Sequence, residues 1–381
     1  MTELVQKAGE RLARFRIDWV MLASAVVLVF FGLITMNSFV GDNTFFEKQL
    51  IWLGVSVAVF FGTSFVDWSF LKRTQVLVTI FFALVTVLVF LLVAVRAVKG
   101  AQSWFDLGFF SFQPTDFAKL TLILILAKYF SRRHVEIARI RHIIVSGIYA
   151  FIIFGLVAIQ PDFGGAMIVA SIWLGMVLVS GISKKHLIVL ISCAAIIFTL
   201  LWNFGFKDYQ KNRILTFIHP LADIQGAGYN AYQSMIAVGS GQFLGKGIGY
   251  GTQSKLKFLP EYQTDFIFAA YAEEWGFVGV IIMFGTFGIL IWRIITNARR
   301  GIGNFEILYG VGISILFMSH FVINVGMNMG LLPVTGITLP FVSYGGSHLV
   351  AAFFALGILQ SQRRAMRGVH KEETKHEFLG I

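Results

Sequence analysis

Apolar runs long enough to cross a bilayer recur from one end of the chain to the other. They fall at about 17–37, 47–66, 75–95, 114–131, 142–160, 164–182, 187–205, 265–292, 305–329 and 340–361. A helix needs about 20 mostly apolar residues to span a membrane. These runs therefore predict an all-α polytopic membrane protein with about ten transmembrane helices. The polar stretches between them are short, with one exception. The segment 206–264 lies between spans seven and eight and is too long for a connector; loops of that size are usually functional or disordered. It holds Tyr209, Arg213, Tyr229, Tyr232, Gln233 and the glycine-rich run from Gly239 to Gly251, which is not the composition of a disordered tract.

Composition agrees and adds little of its own. Of 381 residues, 57% are hydrophobic and 13% charged, which excludes an ordinary soluble domain. The chain reads as one integral domain over 1–381. The first sixteen residues are basic and polar. No small-residue cleavage site follows them, so the first apolar run is expected to stay as a span. Within the tail 362–381, the part after Arg367 is polar, charged and expected to be mobile. The single Cys193 excludes an internal disulfide and a cysteine-rich metal site, and is expected to be a small buried residue.

The net charge of +11 becomes informative once it is placed. The segments 1–16, 67–74, 128–142, 182–186, 293–304 and 362–381 share one side of the membrane and hold 21 Lys and Arg, against 9 in the opposite set. Positive residues stay in the cytoplasm, so both termini are expected there. The excess charge is then a topology signal and not a sign of nucleic-acid binding. All six prolines and the long loop fall on or beside the outer face. Irregular backbone at membrane depth survives only when buried in protein or lining a wet cavity, so any site is expected on the outer side.

The richest stretch runs QSKLKFLPEYQTDFIFAAYAEEWGFVG, from Gln253 to Gly279. Asp265 sits at the mouth of a long apolar helix. It is either a carboxylate favourable at a helix N-terminus, beside Thr264 as cap, or a general base at the membrane surface. Glu261, Lys255 and Lys257 lie just before it. Glu273 and Glu274 follow inside the span, Glu273 about 12 Å along the axis at 1.5 Å per residue. Acids at such depth need partners and are functional suspects.

The fourth span opens with Asp116 and Lys119 on one helical face; they are a self-neutralising pair or one wall of an anion site. Asp162, in QPDFGGAM, is a helix cap or a cavity acid. Trp104 is an interfacial anchor or a stacking face for a sugar. Asn324 and Asn328 face one way on the ninth span and read as interhelical hydrogen-bonding groups. Ser343, Tyr344 and Ser347 lie at the last helix mouth, with His348 beside them but no acid partner evident for serine nucleophile chemistry. The run GSGQFLGKGIGYG fails the phosphate-loop spacing, and no cluster has zinc-ligand spacing.

Together KGAQSW, QPTDFAKL, QPDFGGAM, YQKNRILTFIHPLADIQGAGYN, QSMIAVGSGQFLGKGIGYGTQSKLKFLPEYQTDFIFAAYAEEWG and NVGMNMGLLPVTGITLPFVSYGGS resemble the SEDS family of bacterial wall polymerases, of RodA, FtsW and SpoVE types. The GTQSKLKFLPE run and short tails lean to the RodA, cell-elongation branch. The resemblance implies the SEDS fold and a peptidoglycan glycosyltransferase of the bacterial cytoplasmic membrane. It would polymerise lipid II onto undecaprenyl-pyrophosphate-linked glycan on the outer face. Asp265 is then the catalytic residue, as general base or as ligand of a divalent cation, Mg or Mn. Trp104, Asp116, Lys119, Asp162, Arg213, Lys255, Glu261 and Ser343 are the substrate-binding candidates. A class B penicillin-binding protein transpeptidase and other elongation-complex membrane proteins are the implied partners. The rival readings are a lipid II flippase and a cell-division polymerase of the FtsW type. Four departures from the family pattern stand out: Ser103 for Arg, Gln263 for His, Asp116 for Glu, and His348 where GGSS has its last serine.

Overall fold

A computed structural model describes residues 17–39, 44–94, 104–106, 111–132, 140–205, 208–218, 227–256, 258–259, 261–301 and 303–379. The N-terminal segment 1–16, the loop 99–103 and Lys257 lie outside them. The described residues form thirteen α-helices, a 3-10 turn Trp68–Lys72, a π turn Leu201–Gly205 and one hairpin of two two-residue strands. We number the helices α1 Trp19–Asn37, α2 Thr44–Phe65, α3 Thr74–Ala94, α4 Pro114–Ser131, α5 Ile140–Ile159, α6 Phe163–Val179, α7 Lys184–Leu200, α8 Asp208–Ile218, α9 Ala227–Ser240, α10 Thr252–Lys255, α11 Ile267–Arg299, α12 Asn304–Asn328 and α13 Gly346–Leu379.

A helix occupies each predicted apolar stretch. Among the described residues, α1, α2, α3, α5, α7, α11 and α12 are long and apolar enough to cross a membrane. Three helices fall short by that measure for visible reasons: α6 has 17 residues, α4 carries Asp116, Lys119 and Lys128, and α13 runs on through the charged tail as far as Leu379. The charged tail continues α13 as a helix. The long segment 206–264 contains α8, α9 and α10.

The bundle is built around α12. It packs on α4, α6 and α11, while α1 packs on α11 and α2 on α13. Most of α4 is buried, from Pro114 to Phe130. By contrast, no residue of α7 is buried. Cys193, expected to be buried, is exposed on that helix, because α7 presents an apolar surface to lipid and not to the core.

Two ends of the bundle are fastened differently. On the side of the basic segments, Asp18 caps α1 by accepting from the Met21 N–H at 3.1 Å. It also accepts from Arg293 of α11, with Nη2 at 2.5 Å, and from Arg363 of α13, with Nη1 at 2.7 Å. Lys72 pairs with Glu306 nearby in the same set of segments. On the opposite side the fastening is mostly backbone. There a segment from Leu332 to Gly345 without regular structure connects α12 to α13. Gly164 lets the start of α6 come against it, since a Cβ there would lie 2.7 Å from the Thr335 carbonyl.

Candidate functional site

Asp265 does not cap α11. The helix begins at Ile267 with Phe266 as its cap residue, which makes no side-chain cap bond. Asp265 lies in the turn just before. Glu261, with φ 45°, closes that turn: its carbonyl accepts from the N–H groups of Thr264 and Asp265, both at 3.1 Å. The left-handed backbone at Glu261 aims its carbonyl into the turn, and its carboxylate accepts from the Thr264 hydroxyl at 3.4 Å.

The three carbonyls that follow are each held from another element. The Tyr344 N–H donates to the Gln263 carbonyl at 2.9 Å. The Ser343 hydroxyl donates to the Thr264 carbonyl at 2.6 Å and accepts from the Leu339 N–H at 2.7 Å. Asn324 and Asn328 of α12 both donate to the Asp265 carbonyl, at 2.9 and 3.0 Å. Each asparagine spends its second amide hydrogen as well, Asn324 on the Ile337 carbonyl at 2.6 Å and Asn328 on the Asn324 carbonyl at 2.8 Å. A carbonyl oxygen accepts two hydrogen bonds and a side-chain amide donates two, so this clamp is saturated. Gly336, with φ +72°, sits against the half-buried carboxylate: a Cβ there would lie 3.5 Å from Asp265 Oδ2. The position of Asp265 is therefore set through its backbone. The bland reading of the two asparagines as hydrogen-bonding groups holds, but what they hold is the turn of Asp265.

The two acids deeper in α11 serve the glycine-rich loop. At Gly276 the helix breaks, with φ 64° and ψ −168°. The break frees backbone groups, and the loop takes them up: Lys246 and Gly247 N–H donate to the carbonyls of Glu273 and Glu274, both at 3.0 Å, while Phe277 and Val278 N–H donate to the carbonyls of Gln242 and Phe243. Irregular backbone is tolerated at such depth when its polar groups find partners like these. The Glu273 carboxylate accepts from Lys246 Nζ at 2.7 Å and from the N–H and hydroxyl of Thr252, both at 2.9 Å. Glu274 accepts from the Ser38 hydroxyl at 2.5 Å and the Gly249 N–H at 3.1 Å. Lys246 was not among the expected site residues. Its signal was an acid in an apolar helix that needed a cation from a distant loop.

The remaining candidates are spread over the half of the bundle that carries Asp265. Lys255 is exposed and donates to the Gly249 carbonyl at 3.1 Å, within the loop. Asp162 caps α6, accepting from the Gly165 N–H at 2.7 Å. Trp104 is half-buried beside the hairpin that pairs Phe105 with Phe112. That hairpin leads into α4, whose entry is tied down where the Gln113 N–H donates to the Ser347 hydroxyl at 3.1 Å. Arg213 lies on α8 with its side chain outside the described part. Asp116 and Lys119 do pair, at 3.0 Å, with both side chains 4% exposed. They are buried with His320 and His348, so neither forms an open wall. Among the described residues no three His, Cys, Asp or Glu side chains group as a metal site. The donor set at Asp265 fits only a cation that takes most of its ligands from elsewhere, as Mg²⁺ does when it binds one carboxylate and substrate phosphates.

A helical bundle with lipid-facing apolar surfaces and a clamped acid at one face defines an integral membrane protein with a site near the membrane surface. The chain matches the model of the family described as "Cell cycle protein", FtsW, RodA and SpoVE, over residues 12–367, and it belongs to that family. Among its relatives, peptidoglycan glycosyltransferase MrdB of Escherichia coli K12 is 40% identical over 277 residues, 72% of this chain and 75% of MrdB. Stage V sporulation protein E of Bacillus subtilis is 34% identical over 358 residues, 92% of this chain and 96% of that one. Two solved structures share the fold. One shows how a peptidoglycan synthase complex coordinates polymerization and crosslinking; it has a TM-score of 0.79 at 30% identity over 92% of this chain and 99% of that chain. The other is the rod shape determining protein RodA of Thermus thermophilus, with a TM-score of 0.69 at 28% identity over 92% and 98%.

Proposed function

We propose that the chain is a peptidoglycan glycosyltransferase that polymerises lipid II on the outer face of the bacterial cytoplasmic membrane, in cell elongation and maintenance of cell shape. The observation that carries this reading is the clamp on the backbone of Asp265. Three successive carbonyls are fixed from α12 and from the 332–345 segment, which leaves one acid rigidly presented at the end of the bundle opposite the basic segments. Preorganisation of this kind is what a reacting group needs. The relative MrdB, named as a peptidoglycan glycosyltransferase, supports the same assignment. The excess of Lys and Arg in the other set of segments supports a topology with both termini in the cytoplasm and Asp265 outside.

Outside the membrane there is no nucleotide sugar, so the sugar donor must arrive on a lipid and already carry a leaving group. In our reading the donor is the growing glycan on undecaprenyl pyrophosphate and the acceptor is the 4-hydroxyl of the GlcNAc of lipid II. Asp265 accepts the proton of that hydroxyl as its oxygen attacks the donor's anomeric carbon, and the pyrophosphate leaves with inversion. A positioned base of this kind is worth typically ~10²–10⁴-fold. In the alternative role Asp265 would hold a divalent cation, Mg or Mn, which when bound would offset the negative charge of the pyrophosphate. Trp104 and Arg213 are the candidates for sugar and pyrophosphate contacts. Because one related structure describes polymerization and crosslinking in a single complex, a class B penicillin-binding protein is the partner we assign.

The test is polymerisation of labelled lipid II by the purified chain with its cognate partner, the partner's transpeptidase serine blocked. Wild type should make long strands. Asp265→Ala and Asp265→Asn should make none while keeping the wild-type melting temperature within a few degrees. Normal strands from either variant would remove Asp265 from the reaction. A folded wild type that makes nothing under any cation would shift the assignment to lipid transport.

A further inference from the structure

Four ionisable side chains close a ring in apolar surroundings between α4, α12 and α13. Asp116 Oδ1 lies 3.0 Å from Lys119 Nζ and 3.4 Å from His348 Nδ1. Lys119 Nζ lies 3.4 Å from His320 Nε2. The two imidazoles complete the ring by packing on each other, centroids 4.9 Å apart and tilted 33°. The hydrogens can be assigned from what each partner is able to do. His320 Nδ1 is 3.2 Å from the Thr338 carbonyl, which only accepts, so that nitrogen carries the proton and Nε2 presents its lone pair to the Lys119 ammonium. The Asp116 carboxylate also only accepts, so His348 Nδ1 carries a proton and donates to it. Asp116 Oδ2 has no hydrogen-bond partner among the described residues. His348 therefore supplies one of only two donors that this buried carboxylate receives.

The ring is joined to the site. His320 reaches Thr338, and one turn along α12 Asn324 reaches both Ile337 and the Asp265 carbonyl. We propose that His348 is a positioning residue whose side chain is matched in reach to the aspartate at 116, the two together setting Lys119, His320 and, through the 337–338 backbone, the turn of Asp265. Asp116 and His348 touch at 3.4 Å, so the reach of each side chain limits what the other can be. Aspartate stops short of a glutamate carboxylate by one methylene, about 1.5 Å of reach. An imidazole at 348 extends further than a serine hydroxyl and meets the carboxylate where it now lies. Neither change is neutral alone. A glutamate beside His348 overfills the ring, and a serine beside Asp116 leaves a buried carboxylate short of a donor.

The proposal extends the glycosyl-transfer reading and rests on it for one of two readouts. His348→Ser, Asp116→Glu, the double variant and His348→Asn would be made in the full chain. Each is measured for melting temperature in detergent and for kcat and KM in lipid II polymerisation. Each of the first two single variants should lower kcat by at least ~10-fold with KM within ~2-fold, the signature of lost positioning and not of lost ground-state binding. The double variant should recover kcat by at least ~10-fold over the worse single and melt above it, an interaction of the size expected for residues in contact. His348→Asn, which keeps a donor at the place of Nδ1, should retain more activity than His348→Ser. A double variant whose losses are the product of the two singles, or a His348→Ser variant indistinguishable from wild type, would overturn the proposal. If wild type does not polymerise lipid II, the functional reading fails by itself, and the melting-temperature cycle still decides whether the pair is matched.

Discussion

The chemistry proposed for Asp265 depends on side chains that never touch a substrate. Asn324 and Asn328 donate to one carbonyl and have no spare amide hydrogen. Replacing Asn324 by Leu removes one of the two donors to the Asp265 carbonyl and the donor to Ile337, and leaving a buried acceptor such as the Ile337 carbonyl unpaired costs about 1–3 kcal/mol. Because a displacement of about 1 Å at a reacting group can cost ~10²-fold, Asn324→Leu should lower the polymerisation rate by roughly that factor while the protein still folds. The check is kcat beside the melting temperature: loss of activity far out of proportion to loss of stability supports the clamp. Asn324 and Asn328 were recognisable as a polar pair on an apolar helix. Their target was not, because the carbonyl they hold belongs to a residue 59 positions away.

The glycine-rich loop and the break in α11 are two halves of one device. Gly276 and Gly245 both have positive φ, and a Cβ on either would collide with backbone of the other segment. Gly276→Ala therefore carries both a backbone strain of order 1–3 kcal/mol and a steric clash. It should lower the melting temperature by several degrees or prevent assembly of the loop. Glu273→Gln keeps the shape but removes the charge opposite Lys246. It should leave the helices intact and expose the 242–256 loop to limited proteolysis at Lys246 or Lys255. A loop that stays as resistant as wild type would show that the backbone bonds alone hold it. The sequence marked the glycines as loop-forming and the two glutamates as needing partners. That the two needs answer each other follows only once α11 breaks at Gly276, since an unbroken helix would keep its carbonyls.

Across the bundle, the basic end is tied by ion pairs between helices, while the turn of Asp265 is held by hydrogen bonds to its backbone. Asp18 joins α1, α11 and α13 through Arg293 and Arg363. Removing one partner of a buried charge network leaves the others uncompensated, at a cost of about 3–5 kcal/mol. Asp18→Ala should accordingly lower the melting temperature in detergent markedly and leave kcat for lipid II unchanged in whatever fraction remains folded. A fall in kcat per folded molecule would instead connect the inner end to the site.

Helix positions and the acid at the mouth of α11 were legible in the chain, because hydropathy and the TDF turn are local properties read within one bilayer crossing or one turn. The departures at 116 and 348 were visible too, but only as separate oddities. Their meeting, like the clamp on Asp265 and the seat of Glu273, joins residues between 20 and 232 positions apart. Such contacts are fixed by which helix faces pack together and by where buried donors and acceptors must find each other away from water. No periodicity encodes that choice, so it emerges only when the bundle is assembled.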